Sequence, residues 1–110
     1  MATYSQVRGE RKAALVRIEA SVRETLAAGK ARAHGLLHTE RVRTNIRVLA
    51  RAEGVDLFQA EAAALLHDVG RSQPGPEAEH GARSATIAQP LLQSLALPPE
   101  EIETILYAIR

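Results

Sequence analysis

Residues 60–80 read AEAAALLHDVGRSQPGPEAEH. A nearly all-apolar run ends in an imidazole and a carboxylate side by side, His67 and Asp68. Gly70 and a Pro-rich loop follow, then a second imidazole, His80. Upstream, His38 precedes Val42, Ile46 and Leu49 at steps of four, four and three, which predicts a place at the top of a core-facing stripe, away from solvent. His80 stands in the same relation to Ser84, Ile87, Ala88, Leu91 and Leu95. Three separate segments thus bring His or Asp to the ends of buried faces. A buried carboxylate beside imidazoles is costly unless a charge compensates it, and a divalent cation does so. The C-terminal end of a helix, where His67 and Asp68 are expected, also favours a cation. The bland alternatives are a hydrogen-bonded core histidine and an Asp68 that caps its helix or pairs with Arg41 or Arg71. Glu40 reads as solvated, and His34, in HGLLH, as a loop residue with a local hydrogen bond.

Five helical segments must position these groups. The first spans about Ser5 to Ala28, with Ala14, Leu15, Ile18, Val22 and Leu26 at three- and four-residue steps and Gly29 as its stop. The second spans about Thr39 to Glu53, with Val42, Ile46, Leu49 and Ala50 on one face and Gly54 closing it. Asp56 is an N-cap for the third, Leu57 to about Asp68. Ala62, Ala63, Ala64, Leu65 and Leu66 point all round that helix, so it belongs in the centre, and Gly70 stops it. The fourth spans about Glu77 to Leu95, bent near Pro90. The fifth starts at Pro99 with Glu100 and Glu101 in its positive first turn. Its apolar face is Ile102, Ile105, Leu106 and Ile109, and four helices alone are expected to leave part of it exposed. Self-association into a dimer or larger oligomer would relieve that exposure.

The chain has 110 residues, 45% hydrophobic, 25% charged and 3% aromatic, which suits one small helical domain. With no cysteine, disulfides and thiolate metal sites are excluded. The N-terminus has no signal-peptide core and no run approaches a membrane span, so a cytoplasmic protein without membrane contact is expected. No repeat or low-complexity tract is present. Residues 1–51 carry 11 Lys/Arg against 4 Asp/Glu, while residues 52–110 carry 3 against 9. Two complementary layers of one bundle, or ordinary solvated faces, explain this asymmetry better than a basic surface facing a phosphate-bearing partner does. The basic residues are spread and no aromatics interleave with them, which argues against nucleic acid.

HTERV (38–42), ALLHDVGR (64–71) and EHGARSATIA (79–88) together resemble the HD-domain metal-dependent phosphohydrolases. The resemblance covers about residues 34–110. It implies an all-α bundle of about five helices over 1–110, truncated at its C-terminus and lacking the family's last helices. It implies His38, His67 and Asp68 as metal ligands, and His80 as a ligand to a second metal or a substrate contact. Arg41 matches a motif arginine that acts as a structural or supporting partner. Arg71 becomes a phosphate contact, placed with Asp68 in the catalytic machinery.

The implied cofactor is a divalent ion, Mn2+, Fe2+, Ni2+, Zn2+ or Mg2+, with water in its open positions. The implied reaction is hydrolysis of a nucleotide or other small phosphate ester by a metal-activated water. By position, Glu77, Glu79 and His80 are the candidates for general acid or base. The family's fourth ligand is a distal Asp expected beyond Arg110, and a family Asp is replaced here by Gly35. Asp56 lies twelve residues before Asp68, about 18 Å along a helix, too far to complete the site. The competing expectations are a degenerate domain that binds metal or ligand without turnover, and a structural helical module.

Overall fold

The computed structural model describes residues 3–28 and 32–110. Its elements are α1 (Tyr4–Ala28), α2 (Arg32–Glu53), α3 (Leu57–Leu66), a 3-10 turn (Val69–Ser72), a second 3-10 turn (Glu77–Glu79), α4 (His80–Ser94) and α5 (Pro99–Ile109). The architecture is all-α, with no strand among the described residues. Gly29, the expected stop of α1, lies outside them.

The core collects Ile18, Val22 and Leu26 from α1, Ala62, Leu65 and Leu66 from α3, Ala88 and Leu92 from α4, and Ile105 and Leu106 from α5. α3 is the central element, packed on by α1, α2 and α5. Its N-cap is Asp56, whose Oδ1 accepts from the Gln59 amide at 2.8 Å. Gly54, at φ 70°, ends α2 in the left-handed region that favours glycine.

α2 begins at Arg32, seven residues before the expected Thr39, so His34 falls within the helix and not in a connecting loop. Its inward stripe is also turned. Thr39 and Ala50 are buried and Arg43 nearly so, while Leu49 is 56% exposed. The reason is electrostatic: Arg43 and Arg47 reach inward to Glu61 of α3, itself 3% exposed. Arg43 also holds Glu19 of α1 at 2.8 Å. Arg11 reaches from α1 to the buried Glu101 of α5 at 2.6 Å. Arg11, Arg43 and Arg47 of the first half thus pair with Glu101 and Glu61 of the second, in keeping with complementary layers at these positions.

α3 stops at Leu66, two residues short of Asp68, because α4 supplies competing hydrogen bonds. The Ser84 hydroxyl donates to the His67 carbonyl at 2.9 Å and accepts from the Gly70 amide at 2.8 Å. The Arg83 guanidinium donates to the Gly70 carbonyl at 3.1 Å and to the Pro76 carbonyl at 2.7 Å. These bonds pin the loop between α3 and α4. α4 starts at His80, not Glu77, after the second 3-10 turn, and runs on through Pro90 to Ser94.

The apolar face of α5 differs from expectation. Ile105 and Leu106 are each 1% exposed and Ile109 is 5% exposed, and Ile102 packs partly buried against the core. The chain covers most of this face itself, so the exposure on which self-association was expected is small. The large hydrophobic side chain of α5 that does face water is Tyr107.

Candidate metal centre

Asp68 is buried, and its two oxygens meet different neighbours. Oδ2 lies 3.2 Å from His38 Nε2 and 3.1 Å from His67 Nε2. Oδ1 lies 3.0 Å from Arg71 Nε and 3.4 Å from His80 Nε2. The side chains come from α2, from the turn after α3 and from the start of α4, so the centre depends on three elements meeting at one end of α3.

Hydrogen bonds fix which ring nitrogen faces Asp68. His67 Nδ1 lies 2.6 Å from the Ala64 carbonyl, one turn back, and must donate to it. In the neutral ring, Nε2 then carries a lone pair toward a carboxylate oxygen that has lone pairs of its own. His80 repeats the pattern, with Nδ1 2.9 Å from the Glu77 carbonyl. The His38 and His67 rings stand 5.5 Å apart, tilted by 54°. Lone pairs facing one another at this range repel unless a positive charge sits between them.

The titration tendencies follow. The hydrogen bond to Asp68 raises the His67 pKa above the ordinary imidazole value, against the opposing effect of burial. The Asp68 carboxyl is held well below the usual carboxylate range, first by His67 and then by Arg71, again against burial. Both shifts record the pairing of His67 with Asp68, with Arg71 beside it.

Donor atoms of His38, His67 and Asp68 lie within 4.8 Å of one another. Two imidazole Nε2 atoms and one carboxylate oxygen are the donor chemistry of a borderline divalent ion. The tethering of His67 Nδ1 to a backbone carbonyl is the outer support typical of a ligating histidine. The residues fit such an ion.

The sequence expectations fare unevenly here. His38, His67 and Asp68 converge, and His80 joins them on the far carboxylate oxygen. His38 is not core-facing: its side chain is 56% exposed, one position before the buried Thr39, so it reaches the cluster along the solvent edge. Asp68 pairs with Arg71 and not with Arg41, which is exposed. Glu40 pairs with Arg23 at 3.4 Å, away from the cluster, and Glu79 is exposed. The side chain of His34 lies outside what is described.

Ser84 and Arg83, which hold the loop, escaped the sequence reading. A hydroxyl four residues after His80 on an otherwise apolar stripe was the available signal. Glu77 was read only as a candidate acid or base, yet its carboxylate sits 2.5 Å from Arg71 Nη1.

A family model described as HD domain matches residues 35–110. The chain belongs to the HD-domain family. No significant match was found among curated proteins, and none among solved structures. Membership makes this HD domain a relative of metal-dependent phosphohydrolases, and its His–Asp cluster is compatible with a metal site. No helix among the described residues is long and apolar enough to cross a membrane.

Proposed function

We propose that this HD domain hydrolyses a nucleotide or another small phosphate ester in the cytoplasm, with His38, His67 and Asp68 as ligands of one divalent cation. The observation that carries this reading is Asp68 Oδ2, which faces two imidazole Nε2 atoms at 3.1 and 3.2 Å in a buried position. A cation held there would polarise a phosphoryl oxygen and lower the pKa of a coordinated water. The remaining work falls to the chain's own groups. Arg71 stands beside the cluster, 39% exposed, and presents a planar fork suited to phosphate oxygens. Its Nη1 is held by Glu77, whose side chain is 70% exposed and free to yield to a phosphate. His80, with Nδ1 tied to the Glu77 carbonyl, turns Nε2 toward the cluster. Glu79 is exposed and drops behind His80 and Glu77 as a proton-transfer candidate.

Asp68→Ala tests the ligand assignment. It should lower metal affinity by more than the roughly 10–100-fold that loss of an outer supporting partner costs. Helical content should stay intact. Metal analysis beside circular dichroism reads both, and unchanged metal content refutes the assignment. Turnover of a generic nucleotide or phosphodiester that depends on added metal and disappears in His67→Ala tests the reaction. A second reading, metal binding without turnover, has one observation in its favour. The cluster holds a single aspartate, because Asp56 caps the opposite end of α3. Metal retained at full stoichiometry with no hydrolysis would decide for it.

A further inference from the structure

The two oxygens of Asp68 are compensated differently. Oδ2 faces His38 and His67, and among the described residues no Lys or Arg is paired with it. Oδ1 already has one. Arg71 Nε donates to it at 3.0 Å, Arg71 Nη2 lies 3.5 Å from His80 Nε2, and Arg71 Nη1 lies 2.5 Å from Glu77 Oε1. One guanidinium therefore engages a carboxylate oxygen, an imidazole nitrogen and a second carboxylate. Without that guanidinium, Asp68 Oδ1 and His80 Nε2, 3.4 Å apart, would face one another with Glu77 near the His80 ring, and a second cation could take its place. Such a site would share Asp68 with the first, Oδ2 turned to one ion and Oδ1 to the other.

We propose that Arg71 takes the place of a second cation, so that the centre binds one metal ion and not two. The inference rests on the metal reading above and adds to it a stoichiometry and a role for His80. His80 is then a positioning residue that receives a guanidinium N–H at Nε2, not a ligand. A fixed guanidinium also serves the proposed substrate. It keeps a positive charge beside the bound ion, with directional N–H groups that a bare ion lacks. Glu77 closes the arrangement from the solvent side. As the most exposed of the three partners, it is the one that can leave when a phosphate arrives.

The experiment uses Mn2+ as the probe, with the full 110-residue chain, calorimetric titration and electron paramagnetic resonance. The wild type should take up one equivalent and give the spectrum of an isolated ion. Arg71→Gln keeps much of the side-chain volume and removes the charge. It should gain a second, weaker equivalent and show spin coupling between neighbouring ions. In the double variant R71Q/H80A that second equivalent should vanish while the first remains. Arg71→Lys keeps a charge and should stay at one equivalent, which covers the case in which R71Q folds poorly. Two equivalents in the wild type, one of them lost in His80→Ala, would overturn the proposal. So would an R71Q protein of native helicity that still binds only one. Uptake of no metal by the wild type would overturn the metal reading itself, a different result from either.

Discussion

Gly70 shows how narrowly the centre is built at the level of single residues. A Cβ placed there would meet the His80 carbonyl oxygen and the Ser84 amide nitrogen, each at 2.5 Å. Both are backbone atoms of α4 and cannot swing aside. Gly70→Ala should therefore push the turn away from α4, at a cost of at least about 1–3 kcal/mol for overpacking. Urea unfolding reads the loss, and Mn2+ affinity should fall with it, since His67 and Asp68 ride on the same turn. An alanine variant of native stability and affinity would show that the turn and α4 are not held in register. The glycine was legible in the sequence only as a helix stop, because its real partner is a helix ten residues on. His67 and Asp68 were legible because an imidazole and a carboxylate ending an apolar run need compensation in any fold. Of the contacts of Arg71, only the pairing with Asp68 was among the readings; those with His80 and Glu77 were not, since one arginine beside a glycine has the same local pattern whether its fork meets solvent or three partners.

Between elements, charged groups decide more than periodicity does. Glu19 of α1 is held by Arg43 of α2 and by Arg23 one turn along its own helix. The bond to Arg43, then that to Arg23, lowers its pKa below the ordinary glutamate value, against partial desolvation. A pKa lower in the folded state than in the unfolded one means stability that is present above the unfolded value, about 4.3. That stability is lost as pH falls through the folded value. Glu19→Gln should therefore unfold at a lower temperature than the wild type at neutral pH, and the two melting curves should converge on acidification toward pH 3. Parallel curves over that range would remove Glu19 from the pairing of α1 with α2. The same chemistry explains why the inward face of α2 was misread. A stripe of Val42, Ile46 and Leu49 is the natural apolar choice, but Arg43 and Arg47 turn the helix toward Glu61 and leave Leu49 outside. Periodicity ranks apolar side chains and has no means of ranking a buried ion pair across two helices. In α1, α4 and α5 the apolar stripe itself faces the core, and it was read correctly for Ile18, Val22, Ala88, Ile105 and Leu106.

For the molecule as a whole, the decisive finding is that α5 is part of the core. Leu106 is 1% exposed, in contact with a cluster drawn from α1, α3 and α4. Leu106→Ala in the 110-residue chain should cost about 2–5 kcal/mol, as deletion of a buried leucine does, in equilibrium urea unfolding. A cost near zero would mean that α5 lies loose and that its apolar face is open after all. The bundle is nonetheless uneven. α3 is gripped on several sides, whereas α2 packs on α1 and α3 and leaves Leu37, Val48 and Leu49 in water. His38 is α2's contribution to the cluster, and its partners sit on the pinned turn beside α4. An ion held between them would therefore tie a helix that leaves Leu37, Val48 and Leu49 in water to the turn that Ser84 and Arg83 pin to α4. Fraying of α2 would have to release the ion first, so metal availability would set how often this outer helix opens, as well as whether the site can act.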